Sequence, residues 1–261
     1  SPEALAALAK AFPLYFIIIS AGIGIVAGCN SLIANSMGAN NRVAASIYSY
    51  HSIIYAFFLS IFITFIGIFF SYDLLKYMGS TDLSISLTKE YTDIIFFGTI
   101  VFLILTSLNS ILYAQGDTKT YRNVLIVGVI LNIILNPIFI FGFLFIPALG
   151  ISGIGVATLI AQFVSLLIVL RKILTNERIK KITFSYFKVK YFFLKNIFFQ
   201  SMPITVAILG YSVAAAIVFT YVGFSSEYAV AGYGSATRIE QVVLLPILGI
   251  NTAIISIIAQ N

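Results

Sequence analysis

Apolar residues along this chain gather into long blocks that carry no charge. No Asp, Glu, Lys or Arg occurs in 11–41, 43–72, 94–116, 123–170, 196–226 or 241–261. A helix crosses the hydrocarbon core of a bilayer in about 20 apolar residues. Each block is long enough for one crossing, and 123–170 is long enough for two. Inside that block, Gly142 to Gly153 holds Pro147, Gly150 and Ser152, which favour a turn. The pattern predicts seven helical spans, near 11–35, 47–71, 92–114, 123–142, 151–171, 197–222 and 229–257. Backbone groups in lipid must pair internally, as a helix allows. Barrel strands of about 10 residues would need strict alternation. Ile17-Ile18-Ile19 and Phe96-Phe97 break it. The expected fold is all-α, a polytopic transmembrane helical bundle.

Composition narrows the class further. Of 261 residues, 60% are apolar and 9% charged, whereas a soluble domain is about 25% charged. Too few charges are present to clothe a water-facing surface or to keep a chain disordered. Cys29 stands alone, so a disulfide framework is excluded, and inert packing is expected of it. His51, the one histidine, is read as an interfacial polar residue near the end of the second span.

Basic residues set the expected orientation. Arg42 lies between spans one and two, and Lys119 and Arg122 between three and four. Arg171, Lys172, Arg178, Lys180, Lys181, Lys188, Lys190 and Lys195 lie between five and six. Lys10, Lys76 and Lys89 fall on the opposite side. The positive-inside rule puts the richer side, with 172–196, in the cytoplasm. The net charge of +6 is thereby a topology signal, and no basic soluble module for nucleic acid is present.

Sliding the chain by 225 positions sets Ala4, Ala6, Ala11, Gly24, Ser31, Ile33 and Ala34 on identical residues, Ala229 to Ala259. The polar endings Ser31–Ser36 and Ser256–Asn261 also correspond. The first span reads as the repeat mate of the seventh, with both copies running the same way through the membrane. Parallel repeats of this kind are a transporter architecture. The chain is expected to be incomplete, with one helix before Ser1 and about five after the seventh span.

Five motifs follow one another in a familiar order. They are Ser31-Leu-Ile-Ala-Asn35-Ser36-Met-Gly38-Ala39, Leu112-Tyr-Ala-Gln115-Gly116-Asp117-Thr118-Lys119-Thr120, Asn132-Ile-Ile-Leu-Asn136-Pro137, Gly153-Ile-Gly155-Val-Ala157-Thr158 and Gly232 to Gln241 with Leu244-Leu-Pro246-Ile-Leu-Gly249. Together they resemble the multidrug and toxic compound extrusion (MATE) transporters over essentially the whole chain. The resemblance implies helices two to eight of twelve, from a protein with two six-helix lobes around a central cavity. Residues 1–171 would form most of the first lobe, 172–196 a cytoplasmic linker, and 197–261 the start of the second. It implies export of drugs or other amphipathic, often cationic, solutes in exchange for Na⁺ or H⁺. No catalytic residue and no cofactor beyond the coupling ion are expected. The expected protein is a monomer in the cell inner membrane whose partners are small solutes and lipid.

Asn132 and Asn136 are four apart, so they share one helix face. They can act as glue between helices or as oxygen ligands for a cation, with Thr158 adding its hydroxyl. The family's first-lobe ion site resembles this trio plus an Asp on a preceding helix. It commonly has Asp at the place of Asn136. An amide does not titrate, which argues against a proton relay through two carboxylates and leaves Na⁺ binding through oxygen atoms. Pro137 frees the Ile133 carbonyl, either to line a site or simply to bend the helix.

Arg238 and Glu240 are the only full charges in the interior of the expected spans, Asp93 and Arg171 standing at span ends. Two residues apart, they point to different sides, toward partners on other helices or, for Glu240 with Gln241 nearby, into the solute cavity. Gly24 and Gly28 have the spacing for close helix packing. Between spans five and six, Phe184, Phe187, Tyr191, Leu194 and Phe198 form a stripe suited to an amphipathic helix on the leaflet. No Ser-His-Asp set, zinc spacing or phosphate loop occurs. The readings kept beside the antiporter are a flippase for lipid-linked oligosaccharides and a non-transporting membrane receptor or scaffold.

Overall fold

A computed structural model describes residues 2–78, 80–176 and 188–260, with side chains from 5 onward and only in part beyond 240. Eight helices follow in order: α1 Pro2–Gly38, α2 Arg42–Tyr77, α3 Asp82–Phe97, α4 Thr99–Ala114, α5 Thr118–Phe141, α6 Ile151–Thr175, α7 Tyr191–Gly223 and α8 Glu227–Gln260. The starts of α2, α3 and α5 are set by side-chain caps. Asn41 accepts the Ala44 amide at 3.0 Å, Thr81 the Ser84 amide at 3.3 Å, and Asp117 the Thr120 amide at 3.0 Å. Each satisfies a donor that the first helical turn leaves open.

Among the described residues, five helices are long and apolar enough to cross a membrane, or six if the bent pair α3 and α4 is one span. The predicted seventh span coincides with α8. The repeat correspondence at 256–261 and the side chain of Gln241 lie outside the described residues, as do Phe184 and Phe187.

α1 sits at the centre, against α2, α3 and α4 on one side and α7 and α8 on the other. α5 leans mainly on α6, and α6 joins that pair to α3 and α4. Leu14, Ile18, Ile25 and Ile33 of α1 meet Leu103, Leu108 and Ile111 of α4 in the main apolar core. Large apolar side chains also face outward. Phe58, Phe62, Phe65 and Phe69 form an exposed stripe along α2, and α5 exposes Ile126, Val129, Ile130 and Ile133. Apolar stripes this long suit lipid, since in water they would invite association.

The α1–α7 contact depends on two glycines. A Cβ at Gly24 would fall 2.9 Å from the Ser201 carbonyl oxygen, and one at Gly28 would fall 2.8 Å from the Ser201 amide nitrogen. The predicted pair thus lets two backbones touch. The Ser212 hydroxyl adds a 2.7 Å bond to the Pro13 carbonyl in the same seam.

Several expectations change. The third span begins at Asp82, ten residues earlier than predicted, and breaks by 46° between Phe97 and Thr99. No proline is present. Instead the Thr64 hydroxyl takes the Phe96 carbonyl at 2.7 Å, and the Leu159 side chain occupies the space where a Cβ of Gly98 would go. An inserted side chain and a diverted carbonyl are recognised causes of a kink. The predicted linker boundary at 196 falls inside α7, which begins at Tyr191. Lys10 is not in a loop: it lies in α1 and is 1% exposed. Charge-based boundaries miss it because they place the end of a span at the first lysine.

His51, read as an interfacial polar residue, is fully buried within the protein. One ring nitrogen, Nδ1, meets the Ile47 carbonyl at 2.7 Å, and Nε2 accepts the Lys190 amide at 2.9 Å. With Tyr48 and Phe193 ring-packed, and Asn196 donating to the Tyr48 hydroxyl at 3.1 Å, this pocket ties α2 to the start of α7.

Candidate functional site

Two polar features lie within the apolar helices, and α6 connects them. The first lies at the α5–α6 contact, where the fold brings two of the trio singled out from the sequence, Asn132 and Thr158, together. The Thr158 hydroxyl lies 3.4 Å from Asn132 Oδ1 and also bonds the Ile154 carbonyl at 2.8 Å. Asn132 Nδ2 donates to the Gly128 carbonyl at 3.0 Å, the carbonyl one turn back. Asn132 is thereby held with its oxygen turned toward α6. Asn136, one turn further along, has a buried Oδ1 with no hydrogen-bond partner. A buried amide oxygen without a donor costs about 1–3 kcal/mol, which argues for a partner beyond the described residues. The chemistry on offer is neutral, hard oxygen from two amides and a hydroxyl. No cluster of three or more His, Cys, Asp or Glu able to hold a metal occurs among the described residues.

The α5–α6 connection fixes this pair of helices. α5 continues through Pro137 to Phe141. Gly142 and Gly150 then take positive φ of 79° and 59°, which glycine adopts at least cost. The loop folds back so that the Leu149 amide bonds the Phe139 carbonyl at 2.8 Å. Gly153 lies so close to Phe139 that a Cβ would collide with its carbonyl. The turn predicted from Pro147, Gly150 and Ser152 is therefore a tight one, and it aligns Thr158 with Asn132.

The second feature is a cavity of about 300 Å³ between α1, α3, α6, α7 and α8. Phe12 and Tyr15 of α1, Tyr91 of α3, Ile154 of α6, and Thr237 and Arg238 of α8 all line it. Arg238 is the only fully charged lining residue among the described residues, and Glu240 is not part of the lining. Among the described residues, however, neither forms the ion pair expected of it; the pair present is Lys89–Asp93, at 3.1 Å.

The two features are one helical turn apart. The Ile154 carbonyl holds the Thr158 hydroxyl, while Ile154 itself lines the cavity. Next to it, a Cβ at Gly155 would lie 3.4 Å from the Tyr91 carbonyl, so α6 packs closely on the cavity's α3 wall.

Sequence reasoning missed Asn109 of α4. It is 1% exposed, and neither amide atom has a partner. Its signal was present, as an amide amid apolar residues, but no four-residue partner drew attention to it.

The MatE sequence family matches residues 1–138. The chain is similar to a probable multidrug resistance protein, YoeA, of Bacillus subtilis, with 29% identity over 99% of this chain and 57% of the relative. It is similar to an FAD transporter of Shewanella oneidensis, with 27% identity over 99% of this chain and 57% of that protein. Among solved structures, it matches the inward-facing conformation of a multidrug resistance MATE family transporter of the MOP superfamily. The TM-score is 0.87 at 26% identity, over 100% of this chain and 62% of that one. The chain thus spans little more than half the length of these curated relatives.

Proposed function

The chain belongs to the MatE family, and from that premise we propose that the protein is a secondary antiporter. It exports amphipathic solutes across the cell inner membrane by alternating access, in exchange for Na⁺ or H⁺. The observation that carries this reading is the bare Asn136 oxygen beside the bonded Asn132–Thr158 pair. A cation entering there gains three oxygens from two helices, so it favours the conformation in which α5 and α6 hold them together. Neutral ligands without a titrating group suit Na⁺ better than a proton.

Coupling requires that ion and solute prefer different conformations. α6 supplies the means. A shift of Thr158 toward a bound ion acts on the Ile154 turn, and that turn forms part of the solute wall. Close packing at Gly155 gives the shift little room to be absorbed locally. Solute binding in the cavity then weakens the ion site, and the ion in turn weakens solute binding.

The test is efflux of amphipathic dyes of either charge from vesicles holding the full-length protein. A Na⁺ gradient and a proton gradient are imposed separately. The expected result is efflux driven by the Na⁺ gradient and lost in Asn136→Leu. Absence of efflux under both gradients would overturn the antiporter reading in favour of a lipid-linked oligosaccharide flippase.

A further inference from the structure

We propose that the cavity beside α8 takes an organic anion: a flat aromatic body bearing a phosphate or carboxylate, gripped by Arg238. The inference rests on the transport reading of this cavity and reverses the charge that its resemblance leads one to expect.

Among the described residues the wall carries one full charge, and it is positive. Glu240, the nearest candidate counter-charge on the same helix, is not among the lining residues. Arg238 makes no hydrogen bond or ion pair among the described residues, so its planar fork of N–H donors is uncommitted. That fork matches the spacing of two oxyanion oxygens. Arg238 reaches the rim of an otherwise largely apolar pocket with its donors free, and a ligand's oxyanion there supplies the counter-ion.

The remaining walls describe the rest of the ligand. Phe12, Tyr15 and Tyr91 supply aromatic rings, while the Thr237 hydroxyl is committed to the Gly234 carbonyl. Aromatic faces alone attract cations. Here a fixed positive charge stands on the same wall, and a full charge at contact outweighs the weak field of a ring. An incoming cation is repelled, whereas an aromatic anion gains both stacking and charge. At about 300 Å³ the cavity lies at the small end of ligand pockets. That volume suits a compact ring system.

Fluorescence anisotropy on the purified full-length protein tests this with two planar dyes of opposite charge, carboxyfluorescein and ethidium. The expected result is that carboxyfluorescein binds at least about tenfold more tightly than ethidium. Arg238→Gln should weaken carboxyfluorescein by about tenfold or more and leave ethidium unchanged or improved. Arg238→Lys, which keeps the charge without the fork, should recover part of the loss. Tighter binding of ethidium by the unaltered protein overturns the proposal, and so does an Arg238→Gln protein that holds carboxyfluorescein as before. If Arg238→Gln does not fold, the preference of the unaltered protein between the two dyes decides. The two readings fail separately. Anion binding without gradient-driven efflux sinks the antiporter and keeps the anion site. Na⁺-driven ethidium efflux without carboxyfluorescein binding does the reverse.

Discussion

His51 and Asn136 are both polar side chains sunk among apolar helices, yet their surroundings are opposite. Both ring nitrogens of His51 have backbone partners, at 2.7 and 2.9 Å. The Asn136 oxygen is equally hidden from solvent and has none. Rarity and burial, the two features that draw attention in a membrane sequence, do not separate them. What separates them is whether the protein's own donors and acceptors are used up. A saturated group joins elements together and has no bond left to offer. An unsaturated one is destabilising unless something arrives, and that makes it a plausible receptor for an ion. Asn132 stands between the two cases, with its nitrogen committed and its oxygen loosely held at 3.4 Å.

The sharpest way to break this contrast is Asn136→Leu. Ion-driven transport should be lost by tenfold or more, while the melting temperature in detergent holds or rises, because an unbonded oxygen has been removed. Equal losses of transport and stability would put Asn136 on the side of His51. Next comes His51→Phe, which fills similar space but leaves the Lys190 amide bare. It should cost about 1–3 kcal/mol, read as a lowered melting temperature, with the transport of the surviving folded protein retained. Asn109→Leu extends the comparison to a side chain with both amide atoms unpaired. Stability should rise by about 1 kcal/mol in a thermal melt; a fall would mean that ordered water satisfies the amide. The smallest effect is expected from Thr158→Val. It removes an interhelical contact worth about 0.6 kcal/mol and should show chiefly as a higher Na⁺ concentration for half-maximal transport.

Much of this architecture was legible before any coordinates. Charge-free blocks located the spans because lipid tolerates little else. Glycine and proline located the α5–α6 turn, and a four-residue spacing picked out both Gly24 with Gly28 and Asn132 with Asn136. The less legible features depend on contacts between distant segments. The bend at Gly98 comes from Thr64 and Leu159, which are far off in sequence. Lys10 was misplaced because a lysine normally marks a span's end, and nothing local shows that α1 buries it. His51 needed Lys190 from across the chain. For Arg238 and Glu240 the spacing alone could not say which would line the cavity; packing places Arg238 there.

The helix lengths carry a consequence of their own. α1, α2 and α7 contain 37, 36 and 33 residues, which at a rise of about 1.5 Å makes rods of about 50–55 Å. The oily slab they cross is about 30 Å thick. Even when tilted, they overhang it, while the link from α1 to α2 is only a few residues long. Outside the bilayer the chain therefore continues as helical rods and not as pliant loops.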